Sequence, residues 1–507
     1  MVPARRTDCT ETPASRAIEV IVVAGYPSRE NSEAAASTMA ARVRAASACR
    51  IGEEYVLGVT TSFHLWLESA SNETLSWECA VATYLLAANP IHGHVGPILS
   101  VARHLVEHGH RVVVLTGRRF SAQVAGAGAE HRVLTGTADY DDRRPDTYLP
   151  DGALYRGVRR TEYDIRTIFV ETIPDQYRSI RSLIDELRPD AVLVDGAFGG
   201  VLPLIAQTDD RPPILALGVT PLSQASRDAA PYGLALHPPR GPFDRLRYAA
   251  MGAAAQHVVF APTQRAAARA FAGAGAELRG FIMDASRHYD RFLQTGPAAL
   301  EYPRTDLAPG IRFVGVLPQS ATISRRPAWW GELDRERPVV HVTQGTIDNH
   351  DFGRLVRPAL EALADRHVAV VVTAGGREVD AIGPLPGNAY AASYLDYDAL
   401  LPRVDVVVTN GGYGGVQATL AAGVPLVVAG GTEDKPEVAA RVAWTGAGID
   451  LRTGTPDAAA VGAAVSSILN DRSYRSAAQR IAADAATHDA LGEIARHLAE
   501  TRVASSA

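Results

Sequence analysis

The sequence predicts an α/β protein made of two parallel-sheet domains. Three observations predict it. Short apolar runs alternate with helical stretches from residue 83 onward, and strands that alternate with helices form parallel sheets covered on both faces. A Pro-rich segment interrupts this pattern between residues 296 and 337, and a second alternating series begins at Pro338. The 507 residues suit two or three domains at roughly 100–200 residues each.

Taken in order, residues 1–80 differ from the rest. They hold all three cysteines, Cys9, Cys49 and Cys79, and small-polar clusters such as Ala35-Ala36-Ser37-Thr38 and Ser69-Ala70-Ser71-Asn72. An N-terminal extension is expected here. It is either a poorly ordered arm or a stretch upstream of a native start near Val81. Organised pattern begins at Thr83, where Thr83-Tyr84-Leu85-Leu86-Ala87-Ala88 reads as a strand. Asn89-Pro90-Ile91-His92-Gly93-His94 breaks the run and reads as a loop. Ile98, Val101, Ala102 and Leu105 then recur at helical spacing, closed by Gly109. Residues 110–115 form the next strand, and residues 190–194 and 213–217 repeat the theme. Pro297, Pro303, Pro309, Pro318 and Pro327 mark an interdomain crossing, with residues 312–316 finishing the first domain.

In the second series, residues 339–343 are a strand. Phe352, Leu355, Val356, Ala359, Leu360 and Leu363 mark one helical face, with a kink at Pro358. Strands follow at 368–373, 404–409 and 426–429, and an Ala-rich, Pro-free helical region runs over 458–499. The predicted organisation is an extension over 1–80, a Rossmann-like domain over 81–316 and a linker over 317–337. A second Rossmann-like domain covers 338–485, and a C-terminal helix and tail cover 486–507.

Composition excludes several classes. A formal net charge of −6 argues against a protein built to neutralise a nucleic-acid backbone, though not against one small nucleotide. The cysteine spacing matches neither a zinc ribbon nor a disulfide framework, and no metal site is expected. A body without cysteine beyond Cys79 fits a reducing compartment. No stretch approaches the roughly 18–20 unbroken apolar residues of a membrane span. The run from Ile18 to Tyr26 is short and broken by Glu19, a poor signal peptide. A cytoplasmic protein is the expectation.

The most informative segment is Val406-Val407-Val408-Thr409-Asn410-Gly411-Gly412-Tyr413-Gly414-Gly415-Val416-Gln417. An apolar strand runs into a Gly-rich turn, and a helix follows, with Val416 and Leu420 four apart and closure at Gly423. Four glycines let the backbone approach a bulky anion and adopt positive φ. The free N–H groups and the dipole of the helix N-terminus then favour negative charge. A diphosphate at residues 410–415 is the functional reading, and a turn that only packs helix on strand is the bland one. Two rival phosphate motifs fail. The P-loop needs Gly-Lys-Ser/Thr, and the dinucleotide fingerprint needs Gly-x-Gly-x-x-Gly with an acid about 20 residues on.

Four stretches together resemble the inverting glycosyltransferases of the UDP-glycosyltransferase superfamily, particularly bacterial natural-product and macrolide-type members. They are His92-Gly93-His94-Val95-Gly96-Pro97, Val342-Thr343-Gln344-Gly345-Thr346, residues 410–425, and Gly431-Thr432-Glu433-Asp434-Lys435-Pro436. The resemblance covers about residues 83–500. It implies a GT-B fold, two Rossmann-like domains facing across a cleft. The nucleotide diphosphate-sugar, as UDP or dTDP, would bind the C-terminal domain, and a small lipophilic acceptor mainly the N-terminal one. It implies a co-substrate and no further cofactor.

Several positions depart from the family pattern. Asn410 stands where a histidine often contacts the diphosphate. Tyr394-Leu395-Asp396-Tyr397 replaces a Trp-x-Pro-Gln run, which makes Tyr394 a candidate to stack on the base and Tyr397 to meet the nucleotide edge. Ala418 stands where a glutamate usually grips the ribose, with Gln417 as a substitute. Asp434-Lys435 replaces an Asp-Gln pair that reads sugar hydroxyls. Thr343, Gly345 and Thr346 follow a strand and are candidates for phosphate oxygens, against a simple capped turn.

Transfer to an alcohol needs a base for the acceptor hydroxyl, and a histidine near its ordinary pKa of about 6.5 suits that task. His94 follows the first strand, where open α/β sheets bind ligands, and the resemblance points to it as well. His92 is a close competitor. A carboxylate on the other ring nitrogen would improve the base. Asp195, at the end of the strand over 191–194, is that partner by resemblance, whereas Asp190 precedes the strand. Residues 139–164 and 221–242 are expected to shape the acceptor pocket. Trp329 and Trp330 are expected to pack. The runner-up function is a catalytically silent homologue that binds ligand or assists a partner.

Overall fold

The computed structural model describes residues 81–207, 210–318, 326–333, 336–346 and 348–505, with side chains through 501. The expected extension over 1–80 lies outside the described residues. Residues 81–507 form one compact unit that holds two fully parallel sheets. The first has seven strands in the order β3-β2-β1-β4-β5-β6-β7 and the second six in the order β10-β9-β8-β11-β12-β13. The strands of the first sheet are β1 Thr83–Ala87, β2 Arg111–Thr116, β3 Glu130–Val133, β4 Ala191–Asp195, β5 Ile214–Gly218, β6 Arg291–Gln294 and β7 Ile311–Phe313. Those of the second are β8 Val339–Thr343, β9 Ala369–Thr373, β10 Ala389–Ala392, β11 Val406–Thr409, β12 Leu426–Val428 and β13 Gly448–Asp450.

The apolar runs form central strands because both sheet faces are covered. Along β1, Leu85 and Ala87 enter one core, while Tyr84, Leu86 and Ala88 enter the other. In the second lobe Val407 and Val406/Val408 divide in the same way. Period-2 side-chain direction thus meets helices on each side, so neither set needs to be polar.

Strand order reverses once in each sheet, at β1|β4 and at β8|β11. Ligands of open α/β sheets bind beyond the strand C-termini at such a switch point. Register places the candidate residues there. Ala87 pairs with Val194, so Asp195 is level with residue 88. Thr409 pairs with Thr343, so Asn410 is level with Gln344.

The helices used below are α1 His92–Glu107, α2 Ile173–Leu187, α3 Val356–Leu363, α4 Tyr413–Ala421, α5 Lys435–Thr445, α6 Ala458–Asn470, α7 Arg472–Ala485 and α8 Ala490–Ser505. Two details differ from the sequence reading. His94 is in the first turn of α1 rather than in a loop, because the Gly- and Pro-containing start is still helical, with Pro97 inside. The N–H groups of His94 and Val95 donate to Ile91 O, both at 2.9 Å, so the first turn closes ahead of Pro97. The face over 352–363 is split into a 3-10 turn and α3, with Pro358 early in α3, where its missing N–H breaks no intrahelical bond.

The Ala-rich tail forms α6, α7 and α8. α8 crosses back to the first lobe, where Ala490, Ile494 and Leu498 join the core beside β1 and α1. Trp330 packs in the second-lobe core, and Trp329 Nε1 donates to Ala391 O at 3.1 Å. No helix among the described residues is long and apolar enough to cross a membrane.

Candidate active site

At the first switch point, His94 and Asp195 meet. His94 Nδ1 lies 2.8 Å from Asp195 Oδ1. An ionised carboxylate only accepts, so Nδ1 carries the hydrogen and Nε2 presents its lone pair. Asp195 is fully buried, and His94 keeps 12% of its side chain exposed.

Asp195 is held from three more directions. Ala197 N donates to Oδ1 at 2.9 Å, and Asn89 donates to Oδ2 through its backbone N at 2.7 Å and its Nδ2 at 3.2 Å. Behind Asn89, Gln176 Nε2 on α2 donates to Asn89 Oδ1 at 2.8 Å, and Gly200 N donates to Gln176 Oε1 at 2.9 Å. This chain orients the carboxylate as a carboxylate orients the histidine in a catalytic triad. Asp190 lies at the other end of β4, where it accepts from Thr83 N at 2.8 Å.

Several influences act on the His94 ring. Burial, the largest, lowers its pKa, but Asp195, by charge and hydrogen bond, then Asp434 and Glu433, carry it above the usual value of 6.5. Asp434 and Glu433 belong to the second lobe, so the charges that reach the ring come from both lobes. Phe169 packs beside it at 5.7 Å between ring centroids. Desolvation, then the Arg119 charge, lower the His92 pKa, and its backbone N–H donates to Asp142 Oδ2 at 2.9 Å.

At the second switch point the Gly-rich turn begins α4. Gly411 has φ +89, and a Cβ there would lie 2.8 Å from Val428 Cγ1, so only glycine fits. Gly412 is the N-cap, and no side chain caps the helix. The N–H groups of Tyr413, Gly414 and Gly415 have no acceptor within the helix by geometry. Gly414 is exposed, and a Cβ added at Gly412 or Gly415 would meet nothing within 4 Å. The mouth of the helix is open.

Asn410 is buried, and its Nδ2 donates to Gln344 O at 2.6 Å, tying this turn to the one after β8. There Gly345 has φ +72, and its N–H donates to Thr343 Oγ1 at 3.3 Å. Thr346 is exposed. Asn349 Nδ2 fastens the same loop, donating to Gly345 O, Ala374 O and Gly375 O at 3.0–3.1 Å.

Asp434 is the N-cap of α5, without a side-chain capping bond. Burial, opposed by Lys435 and reinforced by Glu433, pushes its carboxyl up to about 6. Lys435 is turned inward, where its ammonium pairs with Glu433 and lies 3.9 Å from Asp348 Oδ2. Carboxylates hold it, and it does not stand open as its predicted sugar-reading role requires. Tyr394 is 45% exposed and packs over Gly376. Tyr397 is turned inward too: its hydroxyl lies 3.2 Å from His341 Nε2, and burial pushes it up to about 12. Gln417 is buried, and its Nε2 donates to Thr295 O and Oγ1 at 3.3 Å. Tyr413 OH donates to Thr295 O at 3.1 Å. Both side chains bridge α4 to the end of β6 in the first lobe.

The structure therefore brings together His94 and Asp195 at one switch point. At the other it brings together Thr343, Gly345, Asn410, Gly411, Gly412, Gly414 and Gly415. Sequence reasoning missed Asn89 and Gln176. Asn89 carried a signal, as the first polar residue beyond a buried strand. Gln176 carried none, because a glutamine inside an amphipathic helix is ordinarily solvated.

Comparison with known proteins now adds to this geometry. Residues 357–501 match the model of the Erythromycin biosynthesis protein CIII-like, C-terminal domain. The chain is 37% identical over 414 residues to 4'-demethylrebeccamycin synthase of Lentzea aerocolonigenes, covering 81% of this chain and 97% of that one. It belongs to the UDP-glycosyltransferase family. UDP-glucosyltransferase A1 of Starmerella bombicola is 34% identical, covering 79% of this chain and 88% of the relative. Among solved structures, the glycosyltransferase of kitacinnamycin superposes with a TM-score of 0.64 at 22% identity, over 83% of this chain and 99% of that one. The fold is GT-B, and the activity is transfer of a sugar from a nucleotide-sugar.

Proposed function

We propose that this UDP-glycosyltransferase is a metal-independent, inverting O-glycosyltransferase with His94 as its base. It moves a hexose from UDP or dTDP to a hydroxyl of a small lipophilic acceptor: a natural product, macrolide, phenol or glycolipid. His94 Nε2 takes the hydroxyl proton as the acceptor oxygen attacks C1 of the sugar. The bond from C1 to the diphosphate oxygen breaks on the opposite face, and the nucleotide diphosphate leaves with the bonding pair. Attack opposite the leaving group inverts C1.

The developing diphosphate charge falls on the N–H groups at the start of α4, on Gly345 and on the hydroxyls of Thr343 and Thr346. Pre-aimed donors of this kind stabilise an anion without proton bookkeeping or a metal. Asp434 reads sugar hydroxyls, with Lys435 and Asp348 shaping its loop. Tyr394 offers the exposed ring for the base. Tyr397, Asn410 and Gln417 hold the donor site in shape from within. No cofactor beyond the co-substrate is invoked, and the cytoplasm is the proposed location. The name of the Starmerella relative supports UDP-glucose as a donor.

The observation that carries this reading is the 2.8 Å contact between His94 and a fully buried Asp195 at the switch point. The test is His94→Asn. Nucleotide diphosphate release in the presence of acceptor should fall by about 10²–10⁴, while UDP still raises the melting temperature as it does in the parent. A variant with full turnover would overturn the assignment.

A further inference from the structure

Residues 219–241 leave β5 in the first lobe, yet they are fastened to the second. Gly233 N and Ala235 N both donate to Glu437 Oε1 on α5, each at 2.8 Å. Nearer the start of the segment, Leu222 N donates to Glu301 Oε1 at 2.9 Å. One side chain joins these anchors. Arg441 of α5, 1% exposed, donates through Nη1 to Glu437 Oε2 at 2.7 Å, and its Nε lies 3.0 Å from Glu301 Oε1. Arg304 completes the cluster, 3.3 Å from Glu301 Oε2 and donating to Leu222 O at 3.0 Å. The Tyr302 ring lies 4.5 Å from the Arg441 guanidinium.

The backbone at the Glu437 anchor is unusual. Gly233 has φ +95 and Ala235 φ +51. A left-handed alanine is sparsely populated and persists only where its surroundings fix it. Here the two N–H groups converge on one carboxylate oxygen, the anion-binding concavity that such backbone forms. The anion is a side chain from the other lobe. Replacing buried ion clusters by packed apolar groups often raises stability, so stability alone does not account for this one. What charges supply and apolar groups do not is one fixed register between segment and helix.

α5 is also the helix that Asp434 begins. Tyr232, next to the anchored amides, feels the same helix: burial first, then the Asp434 and Glu437 charges, raise its pKa. We propose that Glu437 is a positioning residue, setting the shape of the acceptor-side segment 219–241 from the helix that presents Asp434 to the sugar. This rests on the reading that this segment borders the acceptor. Glu437 touches neither substrate. It ties the acceptor wall to the donor helix, so that both are in register together.

The experiment uses the full chain carrying Glu437→Ala or Glu437→Gln. Glutamine keeps a carbonyl oxygen for both amides and gives up the charge facing Arg441. Hydrogen exchange at Gly233 and Ala235 should rise about tenfold or more in the alanine variant and much less in the glutamine variant. The UDP dissociation constant, by titration calorimetry, should change by less than about threefold in both. With UDP-glucose and the phenol 4-methylumbelliferone, KM for the phenol should rise about tenfold in E437A with kcat little changed. E437Q should restore most of it. Unchanged exchange at the two amides, or UDP affinity lost in step with the phenol KM, would overturn the proposal. If E437A fails to fold, Glu437→Asp decides in its place: the carboxylate, one methylene shorter, draws back from both amides, so their exchange and the phenol KM should both rise, and parental values of both would overturn the proposal. The amide readout does not depend on the base, so it stands apart from the outcome of His94→Asn.

Discussion

Replacing Asp195 with asparagine changes one atom and tests the catalytic reading directly. The carboxylate accepts four hydrogen bonds, from His94 Nδ1, Ala197 N, Asn89 N and Asn89 Nδ2. An asparagine must turn its NH₂ toward one pair of these donors. Toward Asn89 it would face two hydrogens, neither of which can leave. Toward Ala197 and His94 it faces only one fixed hydrogen, because the imidazole can change tautomer. The second orientation wins, and His94 then carries its proton on Nε2. The lone pair needed for the acceptor hydroxyl is gone.

Turnover should drop by about 10²–10⁴, as for a wrongly protonated triad histidine. The frustrated Ala197 bond should lower stability by only about 1–3 kcal/mol, leaving the protein folded. The assay is nucleotide diphosphate release, with kcat/KM followed against pH. In the parent the ring pKa is raised, so the neutral base fills only above 6.5 and activity climbs with pH through that raised value. In Asp195→Asn the burial influence remains, the Asp195 influence is lost, and the acid limb moves down. Turnover within about threefold of the parent, or an acid limb that stays in place, would refute the reasoning. The raised pKa has a stability counterpart. The His94–Asp195 pair contributes fully below pH 6.5, and that contribution fades as pH rises through the folded value.

Other perturbations follow from the same geometry. Gly415→Ala adds a methyl at a half-buried position of the first helix turn where nothing lies within 4 Å, so the melting temperature should hold or rise, by up to about 1 kcal/mol of stability. The UDP dissociation constant, by calorimetry, should nevertheless weaken several-fold, and unchanged affinity would place the diphosphate elsewhere. Gly411→Ala should behave in the opposite way in unfolding experiments, losing more than about 1 kcal/mol because φ is +89 and Val428 stands 2.8 Å away. His341 is fully buried, and burial lowers its pKa to about 4. It stays neutral in the fold while the unfolded chain protonates near 6.5, so stability should be lost as pH falls from 6.5 toward 4. The loss is about 3 kcal/mol, and melting curves of His341→Gln should show a smaller decline over that range.

Much of this was legible because the strands were. A buried parallel strand is mostly apolar, and β1, β8 and β11 each read so, β8 with His341 in its middle, before a polar or Gly-rich exit. The exits are the switch points, so His94, Thr343 and Asn410 could be placed at those sheet edges from the sequence alone. Which way a side chain turns was not legible. Lys435 is drawn inward toward Asp348 as well as its neighbour Glu433, Tyr397 toward His341 and Gln417 toward Thr295, and Asp348, His341 and Thr295 are remote in sequence from the side chains they hold. The charge cluster around Arg441 was silent for the same reason. It joins residues 301, 437 and 441 with backbone groups at 222, 233 and 235, and beyond the four-residue spacing of Glu437 and Arg441 no periodicity links them.

The return of α8 bears on how such enzymes can be recombined. Ile494 and Leu498 are fully buried against the first lobe, each contributing on the order of 1.5–3 kcal/mol. A chimera that exchanges everything after a single splice near residue 330 imports a foreign α8 as well, with side chains shaped for another seam. Exchanging the second lobe between homologues therefore takes two joins, one before β8 and one after α7, so that the last helix stays with the lobe it completes.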